Sequence, residues 1–395
     1  MMPGRRLMRH FGAVCLAQCG VLGSAAMRAL LGGLLCVCVG LTWSCGGDDT
    51  TSGPSATGGS GGSAGDAGTG GSAGDAAADA PTNDSGLTKP EPADVGFQAV
   101  SPVPSGEQIL FNDWNAQPNA VYSMKPDGSA ETKLFEAYRI WSMGVTKDAS
   151  KIAFACGDPL QKEHYGVDIG DAIQHTWVYD TASQSASVLA WGNINDECHD
   201  WNDKNDSMLI CRRRDFDAAG GNKTYRIGRL SLTGAFEWLG IGEDPTPTTM
   251  ELHPQLSADE GTLFYTLIQI ASGKQQRSIM TKSLPGGTPA VVKTSASSGV
   301  LSPDGTRLLY ADTAEKSSLY TMKLDGSDPI KVATRNGTSS VWSPDGKKIA
   351  YLWGETMGCS HIEVVAADGS QADAPTRIRE CGSTFVTELA WVVRP

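Results

Sequence analysis

The sequence predicts an all-β fold, a six-bladed β-propeller of four-stranded antiparallel blades closed by the C-terminal strand. Three observations predict it. Two phrases near the end nearly coincide: LSPDGTRLLY from Leu301 and WSPDGKKIAY from Trp342. Weaker copies of the same apolar run lie upstream, EQILFND from Glu107, SKIAFAC from Ser150, DSMLICR from Asp206 and GTLFYTL from Gly261. The last large apolar residues of the six runs are Phe111, Phe154, Ile210, Tyr265, Tyr310 and Tyr351, spaced by 43, 56, 55, 45 and 41 residues. Repeats of that length built from short strands mark a radially repeated sheet fold.

Each repeat opens on an inner strand, such as SSGVL ending at Leu301 or SSVW ending at Trp342. A Ser-Pro-Asp-Gly turn follows, in which Pro fixes φ, Asp accepts turn N–H groups and Gly relieves the backbone. The apolar run is the second strand. The third strands read AVYSMK from Ala120, TWVYD from Thr176, YRIGRLSL from Tyr225, RSIMTKSL from Arg277, SLYTMKL from Ser318 and HIEVVAA from His361. Three of them run into Asp-Gly, at Asp127-Gly128, Asp325-Gly326 and Asp368-Gly369. That pair suits hairpin turns needing positive φ. Outer strands come last: TKLFE from Thr132, IKVAT from Ile330 and TRIRE from Thr376. A single blade cannot bury its faces alone, so the copies must stack. The terminal ELAWVVRP puts Trp391 where Trp342 stands, but no core run follows it. This orphan inner strand is expected to close the ring by pairing into the first blade, because an open sheet edge is a liability.

The order Ser-Pro-Asp-Gly, Ile-Ala-Tyr, Leu-Tyr strand and Asp-Gly resembles the TolB-like propeller family. The repeats at Leu301 and Trp342 carry the resemblance in full, and the other four follow the pattern without the whole Ser-Pro-Asp-Gly. It extends over about residues 95–395. The resemblance implies the fold. It implies no single task, since members range over protein docking and carbohydrate processing.

The segments before the repeats read differently. Residues 1–45 are expected to be a signal peptide: MRALLGGLLCVCVGLTWSC, from Met27, has a positive charge, a short apolar run and Ser44 before Cys45. It resembles a bacterial lipoprotein signal, which implies translation from Met27 and a lipid on Cys45. An uncleaved anchor or a lipid-free secreted form is the alternative. Gly46 lacks the aspartate that, by the same resemblance, retains lipoproteins in the inner membrane, so the outer membrane is expected, facing periplasm or cell surface. Residues 46–90 repeat GGSAGDA and are too polar to order, which makes them a tether. The domain is residues 91–395.

The chain of 395 residues carries a net charge of −12. That balance excludes nucleic acid, whose phosphates need an excess of Lys and Arg. Of ten cysteines, Cys15, Cys19, Cys36, Cys38 and Cys45 fall before the domain. Cys359 starts the third strand of the last blade and Cys381 ends the fourth, so antiparallel pairing predicts Cys359–Cys381. Cys198 and Cys211 flank the inner hairpin of the third blade and are expected to pair, leaving Cys156. Cys156–Cys198, across two blades, is the alternative.

Connections on one face are long, over 157–175, 213–224 and 241–252, and long loops on a rigid scaffold favour binding. All five domain histidines are expected at that end. His164, His175, His361, Trp114 and Trp353 are the ligand-face candidates. His199 and His253 begin inner strands at the channel mouth and, with Gln255, could hold a metal as the oligogalacturonide-lyase type of propeller does; surface or structural histidines are the competing reading. The carboxylates Asp196, Glu197, Asp200, Asp203 and Asp206 lack the glycine a calcium loop needs and read as a polar turn. Trp177, Trp201, Trp342 and Trp391 are expected to pack between blades. The expected function is a monomeric, non-enzymatic binding scaffold, without cofactor, for a protein or a cell-wall polysaccharide. A metal-assisted polysaccharide lyase or hydrolase and a structural envelope protein without a specific ligand are the alternatives.

Overall fold

Short apolar runs between Ser, Asp and Gly turns fold here as antiparallel strands, because each turn reverses the chain within a few residues. A computed structural model describes residues 87–115, 118–166, 173–201, 207–216, 222–242, 249–314, 318–335, 339–354, 359–381 and 385–395. These belong to one compact unit, Ala78–Pro395. The expected signal, Cys45 and the tether up to residue 86 lie outside the described residues. Among the described residues, no helix is long and apolar enough to cross a membrane.

The strands group mostly in fours along the chain. β1 (Gln98–Ala99), β2 (Gly106–Asp113), β3 (Asn119–Met124) and β4 (Thr132–Ala137) share a sheet with the last strand, β25 (Leu389–Arg394), in the order β1-β4-β3-β2-β25. The orphan strand thus pairs into the first sheet, from Gly106↔Arg394 to Phe111↔Leu389. The second group is β5 (Ile140–Val145), β6 (Lys151–Gly157), β7 (Gln174–Asp180) and β8 (Ser185–Ala190), with a short helix α1 (Gln161–Tyr165) between β6 and β7. The third is β9 (Ile194–Trp201), β10 (Met208–Phe216), β11 (Asn222–Ser231) and β12 (Phe236–Gly242). One parallel pairing, Gln174 with Asn195, fuses these two groups into an eight-stranded sheet. Three four-stranded sheets follow: β13 (Thr249–Leu256) to β16 (Ala290–Thr294), β17 (Ala296–Leu301) to β20 (Ile330–Ala333), and β21 (Ser340–Trp342) to β24 (Thr376–Arg379). Within them, β14 is Thr262–Ala271, β15 Lys274–Ser283, β18 Arg307–Asp312, β19 Ser318–Lys323, β22 Lys348–Trp353 and β23 His361–Ala366. β1 was not foreseen; two residues suffice to cover the outer edge of β4.

The turns explain why weak copies of the motif still fold alike. Ser302 Oγ donates to Asp304 Oδ1 at 2.6 Å and accepts the Arg307 N–H at 2.9 Å. Ser343 and Asp345 repeat this, with Lys348 N–H on Ser343 Oγ at 2.8 Å. Thr146 with Asp148, and Ser257 with Asp259, build the same arrangement without Pro or Gly. The turn therefore needs a hydroxyl and a carboxylate two residues apart, which is a looser requirement than Ser-Pro-Asp-Gly.

Alternation along each strand sends neighbouring side chains to different interfaces. Leu308 packs with Phe264 and Ile279 of the preceding sheet. Leu309, next in sequence, packs with Trp342, Tyr351 and Val365 of the following one. Ile109, Phe111 and Trp391 of the first sheet likewise pack with Leu352 and Ile362 of the last. The tryptophans add directed bonds between groups: Trp201 Nε1 donates to Gly144 O at 3.0 Å and Trp342 Nε1 to Val300 O at 3.1 Å. The disulfides are Cys198–Cys211 and Cys359–Cys381, and Cys156 is a buried free thiol whose pKa burial raises well above its usual value.

Candidate functional site

On or just ahead of each inner strand a polar residue lies shortly before the last apolar anchor. Glu388 lies three residues ahead of Trp391, Ser142 of Val145, His253 of Leu256, Ser298 of Leu301 and Ser339 of Trp342, while His199 lies two ahead of Trp201. The ladders slip at this level, between Ile140 and Ser142, between Leu252 and Gln255, between Ser297 and Val300, and opposite His199 between Ile210 and Cys211. His253 and Ser298 take positive φ there, 49° and 58°. A bulge of this kind re-aims a side chain.

Two of these irregular strands bring His199 and His253 together, with Glu388 beside them. The rings of His199 and His253 lie 5.9 Å apart. Glu388 Oε1 lies 3.7 Å from His199 Nδ1. Asn112 of β2 fixes the segment that bears Glu388: its Oδ1 accepts the N–H groups of Thr387 at 3.1 Å and Glu388 at 2.9 Å. Beside them Arg212 Nη1 donates to Glu197 Oε2 at 2.7 Å. Tyr225 lies between two guanidiniums, with Arg212 Cζ 3.3 Å and Arg214 Cζ 3.9 Å from its ring centroid. Arg212 and Arg214 are two apart on β10, so their spacing matches the thickness of an intervening ring.

Charge is distributed unevenly over the pair of imidazoles. Burial works to lower the pKa of His199, but Glu388 and then Glu197 outweigh it and raise it above the ordinary value. For His253 burial dominates, the charge of His199 adds to it, and the pKa falls to about 3. Its Nδ1 is buried without a hydrogen-bond partner. Burial also works against ionisation of Glu197, yet Arg212 and His199 hold its pKa below the usual carboxylate value. Neutral His253 must gain a proton to unfold below its unfolded pKa of about 6.5. The unfolded chain therefore binds more protons between pH 6.5 and 3, and stability falls as pH is lowered through that window. His253→Asn, which suits positive φ, is expected to flatten this acid limb in urea melts run from pH 7 to 4. An unchanged limb would refute the assignment.

Gln255 is engaged between strands: its Oε1 accepts the Leu301 N–H at 2.6 Å and ties β13 to β17. His164 sits on α1 with Nδ1 2.8 Å from Asp158 Oδ2 and is 8% exposed. His175 is fully buried, with Nε2 2.9 Å from Gly192 O and its ring against Tyr165, and burial lowers its pKa. Both therefore serve packing in this region. Trp114 meets Trp141 edge-on at 4.9 Å. Trp353 stacks with His361 at 5.5 Å and has Arg335 Cζ 4.1 Å from its ring centroid, so the indole is taken up by contacts within the protein. Asp196 and Glu197 are matched by Arg213 and Arg212; Asp203 and Asp206 lie outside the described residues, as do parts of all three long connections.

Glu388, Asn112 and Arg212 were missed by sequence reasoning. For Glu388 a signal existed: its offset from Trp391 equals that of His253 from Leu256.

No family model matches the chain, and no curated protein matches it. Solved structures do. TolB from Acinetobacter baumannii is similar at a TM-score of 0.52 and 15% identity, over 74% of this chain and 68% of that one. Kuenenia stuttgartiensis hydrazine synthase is similar at 0.51 and 10% identity, over 74% of this chain and 47% of that one, so the match spans about half of that protein. At such identities the likeness speaks for a TolB-like propeller fold, and function must be argued from the site.

Proposed function

We propose that residues 91–395 form a six-bladed propeller, with β25 as the inner strand of the first blade, and that this domain is a monomeric binding module. Six strand groups and the packing of Leu352 and Ile362 against Phe111 support the ring. In this reading a signal over residues 1–45, a lipid on Cys45 and a tether over residues 46–90 hold the domain at the outer membrane, facing periplasm or cell surface. The ligand is a protein or a cell-wall polysaccharide.

One observation carries the binding reading. His199 and His253, from two strands, converge with Glu388, just ahead of β25, and the buried His253 Nδ1 has no partner. A polar atom left bare in a folded chain costs about 1–3 kcal/mol, a cost that a ligand bound at this mouth would offset. The test compares the full chain with a His199→Ala/His253→Ala variant of matched circular dichroism, titrated against peptidoglycan, purified polysaccharides and cross-linked envelope proteins. Binding by the full chain that weakens at least about tenfold in the variant is expected. Equal binding by both would overturn the reading.

A second reading, a metal-assisted polysaccharide lyase or hydrolase, is favoured by the opposite shifts of the two imidazoles, His199 upward and His253 downward. Glu388 supplies an oxygen where Gln255 does not. Elemental mass spectrometry of the purified chain decides: a stoichiometric metal lost in the same variant would move the assignment to an enzyme. A full chain that binds neither metal nor any of these ligands would leave a structural envelope protein.

A further inference from the structure

The open end of the β23–β24 hairpin holds a second cluster of donor atoms. The two strands pair up to Ile362↔Arg379. Just beyond, Cys359 and Cys381 face each other at a Cα separation of 5.1 Å and form a disulfide. Both sulfurs and a ring nitrogen of His361 lie within 4.8 Å of one another, and all three residues are partly exposed. Among the described residues no other trio of His, Cys, Asp or Glu is so close. Glu380 Oε2 is 3.0 Å from His361 Nδ1, and the Cys381 N–H donates to the same nitrogen at 3.2 Å. Stacking on Trp353 fixes the plane of the imidazole. The other disulfide differs: Cys198 and Cys211 are fully buried and no such cluster includes them.

We propose that Cys359, His361 and Cys381 are a latent site for a thiophilic divalent ion such as Zn²⁺, masked while the disulfide is intact. A dithiol opens it. One thiolate of the dithiol attacks a cysteine sulfur and breaks the S–S bond; its second thiol then releases the mixed disulfide. The dithiol is oxidised to its own disulfide, and Cys359 and Cys381 are left as thiols. Binding of Zn²⁺ displaces both thiol protons to solvent. Zn–S bonds of about 2.3 Å at a tetrahedral angle need the sulfurs about 3.8 Å apart, so both cysteine side chains must rotate away from one another once the S–S bond is broken. Glu380 lies outside the trio, with Oε2 also 3.3 Å from Arg377 Nη1, so the fourth position falls to a solvent oxygen. Two thiolates and one imidazole match the preference of zinc for mixed sulfur and nitrogen ligands in tetrahedral geometry. Disulfide and ion would tie the same two strand ends, so the hairpin stays joined in either redox condition.

The test uses the full chain, reduced with a phosphine, desalted without oxygen and titrated with Co²⁺ as a spectroscopic probe. The expected result is one equivalent of Co²⁺ per chain with sulfur-to-cobalt charge-transfer absorption, absent from the oxidised chain. Cys198→Ser/Cys211→Ser should keep that band, Cys359→Ser/Cys381→Ser should abolish it, and His361→Ala should weaken binding at least about tenfold. The proposal is overturned if the reduced chain shows no band, or if the band survives in Cys359→Ser/Cys381→Ser. Unchanged affinity in His361→Ala, or loss of near-ultraviolet circular dichroism on reduction, would overturn it equally.

Discussion

Deletion of residues 389–395 is expected to abolish cooperative folding of the domain. Leu389, Trp391 and Val392 are 5%, 7% and 4% exposed. Each such side chain contributes roughly 1.5–3 kcal/mol through burial, so the segment carries on the order of 5–8 kcal/mol before any ladder bond is counted. Domains of ordinary stability hold only about 5–15 kcal/mol in total. The deletion also bares the edge of β2, whose Ile109, Leu110 and Phe111 are fully buried, and a bare apolar edge invites pairing with other chains. Calorimetry and size-exclusion chromatography check this: a truncated, soluble chain melting within a few degrees of the whole one would show that β25 is dispensable. Trp391→Ala is the milder form, at about 3–5 kcal/mol, since it also removes the 2.7 Å bond from Nε1 to Glu107 Oε1.

Removing either member of the Arg213–Asp196 pair is expected to cost about 3–5 kcal/mol. Asp196 is fully buried and receives Arg213 Nε and Nη2, both at 2.7 Å. Thr176 Oγ1 donates to the same carboxylate at 3.3 Å, and Phe236 lies 4.4 Å from the guanidinium carbon. The size of the loss comes from the charge left behind, which stays buried without a counter-ion. An Asp196→Leu/Arg213→Met double variant should therefore recover most of what either single change loses. Urea denaturation of the four proteins gives the cycle. Single changes that cost under about 1 kcal/mol would place the pair in the class of solvated ion pairs.

What was legible in the sequence was what local chemistry decides. A hydroxyl and an aspartate two residues apart make the turn, so Ser302 and Asp304 announced it within Ser-Pro-Asp-Gly, while Thr146 and Asp148 make the same turn without that motif and went unread. Cys359–Cys381 was legible because antiparallel pairing brings those strand ends together; for Cys198, partnership with Cys211 or Cys156 stayed open until the fold placed Cys198 beside Cys211. The site was less legible, because its members are set by bulges and by contacts from distant segments. His199 and His253 were legible as inner-strand residues; their third companion, Glu388, depends on Asn112 more than 270 residues earlier in the chain. Gln255 looked equivalent to a ligand until Leu301 supplied its hydrogen-bond donor. Trp353 looked free because Arg335 reaches it from the connection ahead of β21. Burial of His175 came from α1 and Tyr165, inside a segment that reads as a loop.

The pairing of β2 with β25 also bears on how the protein is made. β2 leaves the ribosome well before β25, the strand that covers its edge. Contacts so far apart in sequence slow folding and lengthen the time that sticky surface is on view. Completion of the first sheet is thus timed by the arrival of β25. Until β25 arrives the first sheet stands open-edged, and the nascent chain is a fit client for chaperones.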